Sequence, residues 1–271
     1  DDAVFDVDVT GEGAEDVKKD KNHLVIKSMM RGFEFMGAKP RGIALRALNN
    51  TPHGRGLGSS SSAIIGGLVL ARNLVLGGED LLNDDDVIAL ATELEGHPDN
   101  IAAAYFGGAT ISWMDSSLSQ TPVARAVKIH VDPRIKAIVF VPENHLATSK
   151  ARKLLPETIS HADAVQNTSH AALLVQALSH RPDLLFTATE DFLHQSYRES
   201  AMPKSYALMK KLRAAGVPAF ISGAGPTVLA LLVDADLHNG EEMSDLTKAA
   251  GTGFSVENID ISPTGCQVSN I

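Results

Sequence analysis

The sequence contains a single cysteine, Cys266, among its 271 residues. One cysteine cannot form a disulfide within the chain, and it cannot build a zinc site from several thiolates. A low cysteine content is typical of proteins in a reducing compartment, so we predict a cytoplasmic location. Small secreted domains stapled by disulfides are excluded as a class.

Long apolar runs and an excess of positive charge are also lacking. No run approaches the ~18 apolar residues of a membrane span, and residues 1–4 carry no feature of a signal peptide. The 24 Lys and Arg residues are outnumbered by 33 Asp and Glu, which gives a net charge of −9. This balance argues against a nucleic-acid-binding surface. We therefore expect no membrane and no nucleic acid as partners.

What is present is the composition of a globular protein, with 44% apolar and 21% charged residues. The length allows one large or two moderate domains. We place a boundary near Asp132, which gives predicted domains 1–131 and 132–271. In the second half the predicted helices and strands are grouped rather than strictly alternating, so the predicted fold class is α+β.

Hydrophobic periodicity predicts the individual elements. Val4–Val9 alternates apolar and acidic residues, as a half-buried strand does. Ala63–Leu76 is apolar on nearly every face, which suits a buried helix. Further predicted strands are 42–48, 109–113, 135–141, 217–221, 227–233, 254–261 and 266–268; further predicted helices are 22–37, 83–95, 101–105, 162–178, 182–194, 203–215 and 242–250; a loop is predicted over 114–120.

The stretch Pro52–Ser62 joins a predicted strand to the buried helix through a loop suited to anion binding. Glycines at positions 54, 56 and 58 permit close backbone approach and inward-turned N–H groups. Serines follow where a helix N-terminus offers unpaired donors and the positive end of its dipole. The pattern predicts a phosphate-binding loop, with a flexible connector as the alternative.

Other known loops fit less well. A Walker A loop needs a lysine where Ser59 stands, and a dinucleotide fingerprint needs a third glycine there, although Glu79 is suitably spaced for its acidic residue. A dehydrogenase is therefore a weak alternative. A serine hydrolase is weaker, since the serines are not arranged as Gly-x-Ser-x-Gly.

Two further segments carry polar side chains or tight turns. Glu95–Asn100 reads Glu-Gly-His-Pro-Asp-Asn at a predicted helix end, where His and Asn often serve only as caps. Ser222–Thr227 reads Ser-Gly-Ala-Gly-Pro-Thr between two predicted strands, which alone indicates a tight turn.

Together these segments resemble the GHMP small-molecule kinases. The second motif of that family reads Pro-x-x-x-Gly-Leu-Gly-Ser-Ser-Ala; Pro52 to Ser60 match it, and Ser61 replaces the alanine. Ser222–Thr227 matches the third motif. Glu95–Asn100, followed by Gly107-Gly108, is similar nearly residue for residue to the homoserine kinase branch.

The resemblance covers essentially the whole chain, and the sequence at 143–148 and 181–185 is most similar to that of actinobacterial-type homoserine kinases. It implies the two-domain GHMP kinase fold, with an N-terminal ribosomal-protein-S5-like ATP-binding domain and a C-terminal ferredoxin-like α/β-sandwich domain. The first family motif should precede the opening strand. We therefore expect that an upstream segment, which carries part of the site, is missing from this sequence.

The resemblance implies ATP and Mg²⁺ as cofactors. A triphosphate needs its charge neutralised by a hard cation that takes one or two protein oxygens. The metal ligands implied are Ser60 and Glu95. The implied nucleotide-binding residues are Pro52, His53, Gly54, Arg55, Gly56, Leu57, Gly58, Ser59, Ser60, Ser61, Ser62, Gly223 and Gly225.

The acceptor would be held by residues from distant segments. A planar guanidinium suits a carboxylate, which makes Arg152 and Arg198 the candidates; two snorkelling surface arginines are the alternative. Ser196 replaces a proline usual beside Arg198. The implied substrate-binding residues are His97, Asn100, Thr148, Arg152 and Arg198, and the implied catalytic residues are Asn100 and Arg152.

Asn100 stands where several relatives carry an aspartate base, so catalysis by positioning and charge stabilisation is implied. The predicted activity is phosphorylation of the side-chain hydroxyl of L-homoserine, in threonine biosynthesis. Alternatives are a relative that binds nucleotide without turnover and a GHMP kinase for another small alcohol. A homodimer is a further expectation from the family.

Overall fold

A parallel β-α-β arrangement opens the chain in the computed structural model, which describes residues 4–117, 121–233 and 241–269. Packing divides the chain into two units. The first comprises Asp1–His53, Gly58–Ile129 and Ser262–Ile271, and the second comprises Gly54–Leu57 and His130–Ile261. The break after Ile129 lies close to the predicted boundary at Asp132. The family domains 1–131 and 132–271 stay a prediction, because packing assigns 54–57 and 262–271 to the opposite unit.

The first unit contains two two-stranded sheets and five helices within its described residues. The elements are β1 Val4–Gly11, α1 Leu24–Phe35, β2 Gly42–Asn49, α2 Ser59–Leu74, α3 Gly78–Leu81, α4 Asp84–Glu95, α5 Asp99–Phe106, β3 Ala109–Asp115 and β4 Val123–Ile129. Strand β1 pairs with β2 in parallel, and β3 pairs with β4 antiparallel.

Helix α2 lies at the centre of the first unit. Ile64, Ile65 and Leu68 pack with α4 and α5, while Ala71 packs with α1 and the β1–β2 sheet. A helix covered on both sides must be apolar nearly all round, which explains its sequence. Because α2 is anchored in two clusters, its N-terminus is held rigidly within this unit.

The second unit is a four-stranded antiparallel sheet covered by helices on both faces. Its elements are β5 Ile135–Pro142, α6 Thr148–Arg152, α7 His161–Ser179, α8 Leu185–Ala188, α9 Pro203–Ala214, β6 Ala219–Ile221, β7 Val228–Val233, α10 Glu241–Ala250 and β8 Phe254–Ile259, with 3₁₀ turns at Pro182–Leu184, Ser196–Ala201 and Gly251–Gly253. The strand order is β6-β7-β5-β8.

Strand β5 runs through the middle of this sheet. Ile135 and Ala137 face a cluster with α7 and α8, whereas Ile138 and Phe140 face a cluster with α9 and α10. Burial on both faces explains why the strand is continuously apolar instead of alternating. The arrangement agrees with the predicted α/β sandwich.

Two predictions of local structure were wrong here, and one strand was not predicted. The helix predicted over 182–194 ends at Ala188, because the Asp191 carboxylate accepts the N–H groups of His194 and Gln195 and forms a turn instead. No strand was predicted where β4 lies. The predicted loop 114–120 starts later, because β3 continues to Asp115. Loop residues 118–120 lie outside the described part of the chain.

The predicted strand at 266–268 is also wrong, because this segment forms a tail on the first unit. The N–H of Cys266 donates to the carbonyls of Ala104 and Tyr105, at 3.1 Å each. The N–H of Gly108 donates to Ser262 O at 2.7 Å. The tail therefore closes the end of α5 and takes no part in a sheet.

The tail provides a test of this packing. A Cβ at Gly265 would lie 2.1 Å from Tyr105 O and 2.6 Å from Gly107 N, so Gly265→Ala should detach the tail. We expect the free energy of unfolding to fall by about 1–3 kcal/mol, measured by denaturant titration. Gly66→Ala, inside α2 with nothing within 4 Å of the added Cβ, should instead stabilise by about 0.5–1 kcal/mol. Equal effects of the two variants would contradict the docked tail.

Candidate active site

The N-terminus of α2 carries the serines of the predicted phosphate loop. Its cap residue, Gly58, has φ 74° and no side chain, so no side-chain hydrogen bond closes the helix end, and no acidic residue lies in the first turn. The N–H of Ser62 is already bonded to Gly58 O, at 3.0 Å. The earlier N–H groups and the positive dipole end can therefore receive an anion.

His53 contacts this helix end from the side of the loop, within the first unit. Its Nε2 lies 3.1 Å from Asn49 Nδ2, and its Nδ1 lies 3.3 Å from Ser59 Oγ. The same amide nitrogen donates to Glu12 O at 2.7 Å and to Thr51 O at 2.9 Å, so its contact with Nε2 does not fix the tautomer of His53. The ring holds the Ser59 side chain at the helix end.

Glu95 meets the same helix end from α4. Its Oε1 accepts hydrogen bonds from Ser60 Oγ at 2.6 Å and from Ser61 Oγ at 3.0 Å. Helix α4 ends at Glu95 because Gly96 follows in the left-handed conformation, with φ 91°. The two predicted metal ligands, Ser60 and Glu95, are thus in direct contact, and Ser61 joins them.

His97 and Asn100 are organised by Asp99, a residue absent from the predicted site. The Asp99 carboxylate bonds the Nδ1 of His97 and accepts the backbone N–H of Asn100 at 2.7 Å. Among the described residues the Asn100 amide side chain makes no hydrogen bond. Its position inside the Glu95–Asn100 segment was the signal that Asp99 could matter.

Residues Gly54–Leu57 of the glycine loop belong to the second unit and are hydrogen-bonded to the third motif. Ser222 Oγ donates to Gly56 O at 2.8 Å, and the N–H of Thr227 donates to Arg55 O at 3.3 Å. The N–H of Leu146 donates to Gly54 O at 3.0 Å. The predicted residues Gly223 and Gly225 therefore belong to the turn that holds this loop.

Arg198 is a buried arginine of the second unit. It is only 7% exposed; its Nη1 donates to Gly223 O at 3.0 Å, and its Nε is buried without a partner. Burial lowers the pKa of the Arg198 guanidinium, the Asp191 carboxylate opposes this, and the positive charge of nearby Arg152 lowers it further. A buried guanidinium with an unused N–H is suited to a bound anion.

Residues around Arg198 hold it in place, and sequence reasoning missed them. Gln195 Oε1 accepts the N–H of Ile221 at 2.6 Å, which ties the segment to β6. Burial alone would raise the pKa of Asp191, but hydrogen bonds from His194 and from the backbone of Gln195 lower it. Asp191 therefore stays charged beside Arg198. Thr148 and Arg152, at the two ends of α6, are exposed.

A cavity of about 620 Å³ in the first unit contains none of the predicted residues. It is lined by Arg72, Asp84 and Tyr105 among others. Asp84 accepts from Arg72 at 2.8 Å and from the Tyr105 hydroxyl. Burial first, and then the bond to Asp84, raises the pKa of Tyr105 to about 12. Arg72 Nε is buried without a hydrogen-bond partner among the described residues. Because no predicted site residue lines the cavity, we assign it no role.

Neither a preformed metal cluster nor a membrane-spanning helix is found in the described part of the chain. No group of three or more His, Cys, Asp or Glu side chains is placed to hold a metal there. Over the same residues, no helix is long and apolar enough to cross a membrane. The cytoplasmic location and the homodimer stay predictions.

Two family models match the chain. The model for the GHMP kinases N terminal domain matches residues 23–108. The model for the GHMP kinases C terminal matches residues 172–245. The paired matches, with the glycine loop in the first and the Arg198 segment in the second, define a two-domain GHMP kinase.

Comparison with similar proteins shows which branch of the GHMP kinases the chain is most like. The homoserine kinase of Streptomyces coelicolor is 46% identical over 267 residues, which is 98% of this chain and 83% of that protein. The homoserine kinase of Mycobacterium tuberculosis is 42% identical over 261 residues, covering 96% and 81%. The crystal structure of homoserine kinase from Cytophaga hutchinsonii has the same fold, with TM-score 0.73, 22% identity and coverage of 98% and 84%. The chain belongs to the homoserine kinases of the GHMP kinase family.

Proposed function

We propose that this chain transfers the γ-phosphoryl group of ATP to the side-chain hydroxyl of L-homoserine and gives O-phospho-L-homoserine, in threonine biosynthesis. The observation that supports an amino acid as substrate is the buried guanidinium of Arg198, which has an unpartnered Nε and lies near Arg152. Two adjacent cations in the absence of substrate favour an anionic ligand group. An amino-acid carboxylate satisfies both arginines through paired hydrogen bonds.

The nucleotide would be bound by the loop Pro52–Ser62. The uncapped N–H groups of α2 and the Ser59 hydroxyl, oriented by His53, would donate to the phosphates. Within the second unit, the turn with Gly223 and Gly225 would support loop residues Gly54–Leu57. Phosphoryl transfer needs mainly positioning and charge stabilisation, which these fixed donors supply.

The donor set at Ser60 and Glu95 fits Mg²⁺. Both groups offer oxygen, which a hard cation prefers, and one hydroxyl and one carboxylate leave room for phosphate oxygens and waters. When bound, the cation would neutralise charge on the phosphates. A second carboxylate is not needed, because Mg²⁺ in phosphoryl-transfer sites is commonly held by one or two carboxylates together with substrate phosphates.

The acceptor hydroxyl would be positioned by Asn100, with His97 and Thr148 beside the substrate. An amide cannot take a proton as a carboxylate does, so Asn100 would orient the hydroxyl and Arg152 would stabilise charge. Asp99 fixes the segment through the His97 ring and the Asn100 N–H.

Substrate selectivity tests the proposal. A coupled assay of ADP release by the full chain should give a kcat/KM for L-homoserine at least about 100-fold above that for mevalonate or galactose. The reason is that the other two alcohols leave polar groups of the acceptor site unpaired. Identical nucleotide and metal in all assays are the control. A preference for the sugar would reject the proposal, and nucleotide binding without O-phosphohomoserine would favour a non-catalytic relative.

A further inference from the structure

We propose that Ser61 is a positioning residue for the Glu95 carboxylate, and that it tightens the cation site by fixing that carboxylate before the cation binds. The inference rests on the proposed function, in which Ser60 and Glu95 hold Mg²⁺. The second motif of the family carries alanine where Ser61 stands, so the motif assigns this hydroxyl no role.

The geometry begins with two consecutive serines on the first turn of α2. Ser60 is exposed, whereas Ser61 is completely buried. Their side chains leave the helix in different directions, yet both hydroxyls reach Glu95 Oε1, at 2.6 and 3.0 Å. A carboxylate can only accept, so both serines donate. Oε1 is thus bonded from the solvent side and from the core side.

Two donors on one oxygen fix the plane of the carboxylate. Within the described residues, Glu95 Oε2 accepts no hydrogen bond, so it is the oxygen left for a cation. With alanine at position 61, Oε1 would keep only the donor on exposed Ser60, and Glu95 would have more rotamers to lose on binding. A partner that orients a metal ligand commonly changes metal affinity by about 10–100-fold.

A buried serine in a helix has an ordinary alternative, which is to donate to a carbonyl of the preceding turn. Ser28 in α1 does this, with Oγ 2.9 Å from Leu24 O, and it is also fully buried in the first unit. The Ser61 hydroxyl is directed at a side chain of α4 instead. Ser28 is therefore the matched control for the loss of a buried hydroxyl.

The test measures metal binding directly. Mn²⁺ and Mg²⁺ are titrated into the full chain saturated with a non-hydrolysable ATP analogue, by calorimetry and, for Mn²⁺, by electron paramagnetic resonance. Ser61→Ala should raise the metal Kd about 10-fold, and Ser28→Ala should leave it unchanged although both lower the thermal midpoint. Turnover of Ser61→Ala should recover at saturating Mg²⁺, because the ligands themselves are intact.

The outcomes separate this inference from the proposed function. A metal Kd for Ser61→Ala equal to or tighter than that of the unaltered chain overturns the positioning role. If Glu95→Gln and Ser60→Ala also leave the metal Kd unchanged, the proposed cation site fails as well. Ser61→Cys, with similar volume and a weaker donor, should shift the Kd in the same direction and provides a second measurement if the alanine variant folds poorly.

Discussion

Replacing Arg198 by methionine should raise the KM for L-homoserine about 100-fold or more while the KM for ATP stays unchanged. Truncating one partner of a buried charge pair costs about 2–5 kcal/mol, and every 1.4 kcal/mol is about tenfold in affinity. Steady-state kinetics of ADP release measure both constants. We expect the effect on the acceptor because Arg198 lies near Arg152, the other proposed ligand of the carboxylate.

A chemical change in the substrate is the sharpest control for Arg198. Homoserine amide lacks the carboxylate, so its KM with the unaltered chain should be as high as the KM of Arg198→Met for homoserine. Replacing homoserine by its amide should then raise the KM of Arg198→Met only slightly. Arg181→Met, which removes an exposed ion pair with Asp183, should change neither constant. Full additivity of the amide and the Arg198 substitution would show that the guanidinium does not meet the carboxylate.

The same variant should be at least as stable as the unaltered chain. Burial lowers the pKa of Arg198, with Asp191 opposing and Arg152 adding to the shift, so its charged form is disfavoured in the fold. Arg198 forms no ion pair among the described residues, and an unpaired buried charge carries a desolvation penalty, so an apolar side chain of similar length should be neutral or stabilising. Denaturant unfolding of Arg198→Met tests this. A marked loss of stability would identify Arg198 as structural.

Gly56→Ala should be the most damaging single change in the glycine loop. Gly56 has φ 75°, and an added Cβ would lie 2.4 Å from Ser222 O and 2.9 Å from Gly225 O, both fixed backbone atoms. We expect the free energy of unfolding to fall by about 3 kcal/mol, because the backbone strain at positive φ and the overpacking by the added Cβ both destabilise the fold. ATP affinity, measured by calorimetry, should fall at least about tenfold as the loop is displaced.

Gly58→Ala is the matched comparison. Gly58 has nearly the same φ, 74°, but nothing lies within 4 Å of an added Cβ. The loss of stability should then be only the conformational strain, about 1–2 kcal/mol. If both alanine variants unfold alike, the contact with the third motif contributes nothing, and conformation alone explains the glycines.

Local patterns were sufficient for much of the fold. The alternation of β1, the continuously apolar β5 and the buried α2 each reflect how many sides of the element are covered, and the sequence records that directly. The predicted helix over 182–194 failed because a side chain, Asp191, competes for backbone N–H groups. The predicted strand at 266–268 failed because its partner is a helix end, which β propensity does not encode.

The candidate site, like the fold, could be predicted from the sequence only in part. The resemblance implied that Ser60 and Glu95 bind one cation. Their side chains are in contact at 2.6 Å, and their role as metal ligands stays a prediction. The roles of Asp99, Gln195 and Ser61 depend on contacts whose geometry no motif specifies. Ser61 is the clearest case, because the resemblance implied it only as a nucleotide-binding residue, and no motif specifies the contact of its hydroxyl with Glu95.

The tail at 262–269 has a consequence for biosynthesis. Residues Ser262, Gly265 and Cys266 complete the end of α5, yet they follow the whole second unit in the sequence. A ribosome therefore makes the second unit before the first has all its contacts. The amino-terminal half should remain sensitive to proteases on stalled nascent chains that stop short of this segment, and a fusion partner placed directly after it should be given a long spacer.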